Sequence, residues 1–104
     1  MFTPKPFYKT ILNSADAGAG DEVKVINYTY KTAVITISGT GTAECTIQVS
    51  IDKEHWVTAQ KADGTNAVYT SSGYFESDHA FHYLRANNTN PGGKNVQVDL
   101  ACNK

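Results

Sequence analysis

Two cysteines, three histidines and a single tryptophan are the side chains from which chemistry would have to be built in this sequence. Cys45 and Cys102 fall on the apolar phase of alternating runs, Ala43-Glu44-Cys45-Thr46-Ile47 and Val98-Asp99-Leu100-Ala101-Cys102. Both are expected to point inward as small hydrophobes. A disulfide is open to them if their strands are neighbours. The absence of an export signal favours a reducing site of synthesis and free thiols instead. No C-x-x-C spacing supports a zinc site. His79 and His82 lie three apart beside Asp78, a spacing that sends strand side chains to opposite faces. His55 lies in Asp52-Lys53-Glu54-His55-Trp56, which reads as a turn. No third ligand converges on them, so neither a metal nor a cofactor is assigned. Asp52 and Glu54 are close enough to act as an acid–base pair, but no apolar pocket would set their pKa values apart. They read as solvated turn charges.

The catalytic signatures G-x-S-x-G, H-E-x-x-H, the P-loop and G-x-G-x-x-G are all absent. Gly39-Thr40-Gly41 joins two alternating runs, whereas a phosphate cradle precedes a helix. The expectation is a protein that is not an enzyme. The triplets Asn27-Tyr28-Thr29 and Asn87-Asn88-Thr89 match the glycosylation pattern but lack a secretory route. The aromatic residues carry more information. Trp56, Tyr69, Tyr74, Phe75, Phe81 and Tyr83 cluster in the second half. In one reading Trp56 plugs the core after a hairpin and the tyrosines fill the space between sheets, their hydroxyls at the rim. In the other, Trp56 or the Tyr69/Tyr74 pair forms an exposed platform for a glycan. Tyr28 and Tyr30 are placed at the surface or at an interface.

The elements that must position these residues are strands. Thr, Val, Ile and Tyr suit a pleated, half-buried surface. Strict alternation marks Glu22–Ile26, Ala33–Ser38, Ala43–Ile51 and Asn95–Cys102. Weaker strands are expected at Phe7–Asn13, Trp56–Lys61, Ala67–Thr70, Tyr74–Glu76 and Phe81–Asn88. Turn signals separate them at Ala17–Asp21, Ser38–Gly41, Ala62–Asn66 and Asn90–Gly93. Ala33–Ser38 and the run ending at Ile51 are expected to form a hairpin through Gly39-Thr40-Gly41-Thr42. The sum is an all-β chain, an antiparallel two-sheet β-sandwich of jelly-roll-like form with seven to nine short strands and no substantial helix. Pro4 and Pro6 keep the start of the chain out of a sheet. Residues 1–8 are therefore expected to form an extended arm carrying Phe2, Phe7 and Tyr8, ahead of a single domain over 9–104.

The composition excludes several classes of partner. A length of 104 residues fits one domain. A formal net charge of -1, with 9 basic and 10 acidic residues interspersed, offers no basic stripe for nucleic acid. No apolar run is long enough for a membrane-spanning helix. Met1–Pro6 lacks the basic and apolar regions of a signal peptide, so synthesis in a cytoplasm is expected.

Two segments together resemble a known family. The first is Gly39-Thr40-Gly41-Thr42-Ala43-Glu44-Cys45-Thr46-Ile47-Gln48-Val49-Ser50-Ile51-Asp52, closed by Trp56-Val57. The second is Phe81-His82-Tyr83-Leu84-Arg85-Ala86-Asn87, followed by Gly92-Gly93 and Val96-Gln97-Val98. Residues 33–101 are similar to small virion proteins of tailed bacteriophages. Lys53 departs from that pattern where Gly follows Asp52, and Cys45 where Val is usual. The resemblance implies a non-enzymatic β-sandwich subunit of the virion: a capsid decoration (cement) protein or a head or tail accessory. Its partners would be the major capsid or tail protein and copies of itself, with a trimer as one form. The alternative is a carbohydrate-binding module for host-surface glycans. Phe2, Pro4, Pro6, Phe7, Tyr8, Tyr28 and Tyr30 are the candidate interface residues. In Tyr83-Leu84-Arg85-Ala86-Asn87, Leu84 and Ala86 should pack inward, with Tyr83, Arg85 and Asn87 as an outward stripe. Arg85, the only arginine, is expected to pair with a carboxylate such as Asp52 or with a partner subunit.

Overall fold

A computed structural model describes residues 6–104. Among them there is no helix. Ten strands are present: β1 (Phe7–Ser14), β2 (Gly18–Ala19), β3 (Val23–Lys24), β4 (Tyr30–Ser38), β5 (Cys45–Ser50), β6 (Val57–Thr58), β7 (Val68–Tyr69), β8 (Gly73–Ser77), β9 (Tyr83–Asn88) and β10 (Asn95–Asn103). Their alternation dictates which side is dry. In β10, Val96, Val98, Leu100 and Cys102 are buried, while Asn95, Gln97, Asp99 and Ala101 face outward. In β4 the buried phase is Lys31, Ala33 and Ile35.

The strands form two antiparallel sheets. One has the order β1-β10-β4-β8; the other has β2-β9-β5-β6, with β3 also on β9 and β7 also on β5. If β2 and β3, and β6 and β7, are each taken as one interrupted strand, ten runs fill eight positions. Chain order then alternates between the sheets at every step but one, the hairpin from β5 to β6 within the larger sheet. This wrapping is that of a jelly roll. The count exceeds the expected seven to nine because the outer positions of the larger sheet are broken into two-residue pieces. The core lies between the sheets: Ala33, Ile35, Phe75, Val98 and Leu100 from one face Ile47, Leu84, Ala86 and Val25 from the other.

Two expectations are corrected. Ala33–Ser38 and Cys45–Ser50 do not form a hairpin: β4 pairs with β10 and β8, and β5 pairs with β9, β6 and β7. Gly39 and Gly41 do turn the chain, at φ 98° and 108°, but they carry it across to the other sheet. There the turn interlocks with the loop before β10: Thr42 N donates to Gly92 O at 2.9 Å, and Lys94 N to Thr42 O at 3.2 Å. Phe7 and Tyr8, expected in the arm, belong to a strand instead. Phe7 and Tyr8 are the first residues of β1, opposite Cys102 and Ala101. A bulge between Thr10 and Leu12 then breaks the alternation, so Ile11 and Leu12 are both buried.

Candidate interaction surfaces

The outer face of the larger sheet carries the Tyr83-Arg85-Asn87 stripe, with Leu84 and Ala86 buried beneath as expected. Arg85 does not reach Asp52. Its Nε donates to Gln48 Oε1 at 2.8 Å, Gln48 being its partner in the β5–β9 register. The guanidinium lies 4.2 Å from the centre of the Trp56 ring, with Glu22 Oε2 at 4.0 Å. Trp56 is half-buried under this cover. It is therefore neither the core plug nor a free sugar platform. Arg85→Ala is expected to cost about 1–2 kcal/mol, because the stack and the charged hydrogen bond go together. Arg85→Lys should recover less than half of that, lacking the planar face. Urea unfolding of the two variants measures both values.

Asp52 is engaged locally. Its Oδ1 accepts from Ser50 Oγ at 3.0 Å, Glu54 N at 2.9 Å and His55 N at 2.8 Å, and its Oδ2 lies 2.5 Å from His55 Nδ1. These bonds, those from His55 first, hold the carboxyl well below the usual range. Lys53 sits at φ 68°, the left-handed region that glycine adopts most readily. Asp52, Glu54 and His55 are all exposed, with ligand-type atoms within 4.8 Å of one another. Their hydrogen bonds close the turn. His79 is exposed and His82 half-buried, and they form no cluster with His55.

The Tyr69/Tyr74 pair does not assemble as a platform. Tyr69 is buried and donates its hydroxyl to Tyr74 O at 2.8 Å. Burial pushes its pKa up to about 12. Tyr74 is exposed on the outer face of the smaller sheet. Cys45 and Cys102 are buried and free, one in each sheet, so no bridge joins them. Burial pushes the Cys45 thiol up to about 12 and the Cys102 thiol up to about 11.

Among the expected interface residues, Pro6, Tyr8 and Tyr30 are exposed. Tyr28 is half-buried, its ring 6.0 Å from that of Phe7. Phe2 and Pro4 lie outside the described residues. On the outer face of the smaller sheet the register places Tyr8, Ala101, Thr32 and Glu76 in one row, and Thr10, Asp99, Val34 and Tyr74 in the next. Tyr8, Val34 and Tyr74 are exposed there and neither row holds a cation. A second apolar surface is a groove of about 570 Å³ with Val49, Ile51, Val57 and Phe81 in its lining.

Two buried polar residues went unnoticed in the sequence. Lys31 is buried. Its Nζ donates to Tyr28 O at 3.3 Å and His79 O at 2.5 Å, and lies 4.6 Å from the centre of the Phe81 ring. Burial lowers its pKa, against the opposing pull of Cys102 and Asp78. Asn88 is buried with neither side-chain amide atom hydrogen-bonded. The signal was present in both cases: Lys31 shares the phase of Ala33 and Ile35, and Asn88 that of Leu84 and Ala86.

No family model matches the sequence, and no curated protein matches it. The fold is similar to the crystal structure of the SPBc2 prophage-derived protein YomS, with a TM-score of 0.77 over 100% of this chain and 97% of that one, at 14% identity. At that identity the likeness establishes a shared fold along the whole length of the chain.

Proposed function

We propose that this chain is a non-enzymatic structural subunit of a bacteriophage particle, a capsid decoration protein or a head or tail accessory, held by protein–protein contacts. The observation that carries the reading is the full-length likeness to a prophage-derived protein of nearly the same extent. The surface chemistry supports it. Exposed Tyr and Val on a sheet face without Lys or Arg match the composition of protein interfaces, where aromatic residues are enriched and Lys depleted. The glycan reading finds less support, since Arg85 stacks on Trp56 and Tyr69 is buried while Tyr74 is exposed.

Deletion of residues 2–5 tests the role of the N-terminal segment and spares β1, which starts at Phe7. The shortened chain is expected to keep its circular dichroism and melting temperature. It should fail to co-sediment with particles produced from a phage lacking the gene, while the full chain binds them. Full binding by the shortened chain removes the segment from the attachment. Absence of the full chain from particles overturns the structural role.

A further inference from the structure

The larger sheet has apolar inner-face surface that the smaller sheet does not cover. Along one register row, Leu84 is fully buried, its β5 partner Val49 is half-buried, and the β6 partner of Val49, Val57, is 63% exposed. Ile51, just beyond β5, is 69% exposed. With Ala80 and Phe81 on the opposite wall they line the groove of about 570 Å³. Leaving such side chains in water forgoes about 1.5–3 kcal/mol each, and a contiguous apolar patch of this kind marks a contact surface.

The N-terminal segment is rooted beside this groove. Phe7 opens β1 opposite Cys102, and Cys102 lies opposite Lys31. The Lys31 ammonium bonds the His79 carbonyl and sits over Phe81, and His79 and Phe81 both line the groove. Phe7 therefore starts β1 at the end of the sheet where the groove lies. That segment reads Met1-Phe2-Thr3-Pro4-Lys5-Pro6. Its two prolines, and the bias each imposes on the residue before it, favour extended backbone of about 3.1 Å per residue. Five residues of such backbone span about 15 Å, and prolines resist the tight reversal that folding back onto the same molecule would need.

We infer that the groove receives residues 1–5 of a second copy of this chain, with Phe2 as the anchor among Val49, Ile51, Val57 and Phe81. Copies would be linked by exchanged segments. This rests on the reading of the chain as a particle subunit that contacts its own kind.

Cross-linking tests it. A Phe2→Cys chain is mixed with a Val57→Cys chain under mild oxidation, the buried native thiols being left in place. Mixed dimers are expected at five-fold or greater excess over those from Phe2→Cys with Tyr74→Cys, an exposed position on the other sheet. Equal yields overturn the inference. So does a chain carrying both Phe2→Cys and Val57→Cys that closes on itself at a rate independent of concentration. Failed cross-linking by a chain that still joins particles overturns the groove assignment and leaves the structural role. Selective cross-linking by a chain absent from particles overturns that role and leaves the groove assignment.

Discussion

Gly41→Ala is expected to lose about 3 kcal/mol or more of stability. Two costs combine. Gly41 has φ 108°, in the left-handed region, which charges a residue with a Cβ about 1–2 kcal/mol. The added Cβ would also stand inside van der Waals contact of the Gly92 carbonyl oxygen. That oxygen cannot retreat cheaply, because it accepts from Thr42 N at 2.9 Å and the next rung ties Lys94 N to Thr42 O. Gly64 separates the two costs. It has φ 86° with nothing within 4 Å of a Cβ, so Gly64→Ala should lose only the backbone part, about 1 kcal/mol. Urea unfolding of the two variants decides the matter. Equal losses would show that the interlocked loops yield and that close approach is not what fixes Gly41.

The limits of reading this fold from its residues follow from what alternation encodes. A period of two says which face of a strand is dry. Val96, Val98 and Leu100, or Ala33 and Ile35, therefore announced the inner face correctly. It does not say which strand lies alongside. Gly39-Thr40-Gly41-Thr42 carries the residues of a hairpin turn, yet it serves a crossover between sheets, because left-handed glycines turn the chain in either context. The same gap explains Arg85. Asp52 was the conspicuous carboxylate, but the partner across β5 is Gln48, and only register could reveal that. Asp52 was already committed to the amides of its own turn. The Thr10/Leu12 bulge erased the period locally and hid a strand's true face. Tyr69 and Tyr74 are five apart and look like one patch, but they belong to different sheets, so one is buried and the other exposed. Phase did hold for Lys31: an odd-numbered cation within an odd-numbered apolar series is a buried cation, and its ammonium is met by two carbonyl oxygens.

Raising the pH from 9 to 11 under reducing conditions is expected to remove about 4 kcal/mol or more of stability, a large share of the 5–15 kcal/mol typical of a domain. The cause is the pair of buried thiols. In the folded chain Cys45 titrates near about 12 and Cys102 near about 11, both raised by burial. Thiols in the unfolded chain titrate near about 8.5. The folded state thus binds more protons than the unfolded state throughout the window. Stability present below about 8.5 is lost as the pH rises toward the folded values, at about 1.4 kcal/mol per pH unit for each thiol. Tyr69, raised to about 12, adds to the loss above its unfolded value of about 10. Lys31 acts in the opposite sense. Its folded pKa is lowered by burial, so the unfolded chain holds that proton longer and stability rises with pH up to about 10.4. One lysine against two thiols and a phenol leaves a net loss. Cys45→Ala separates the thiol from the rest. At pH 8 it should cost about 1–2 kcal/mol for the small cavity, less than the usual loss for a larger side chain. Between pH 9 and 11 its stability should then fall roughly half as steeply as that of the parent chain, because one of the two buried thiols is gone. Urea midpoints measured at each pH give both slopes. A Cys45→Ala slope as steep as the parent's would assign the alkaline loss to groups other than the buried Cys45 thiol.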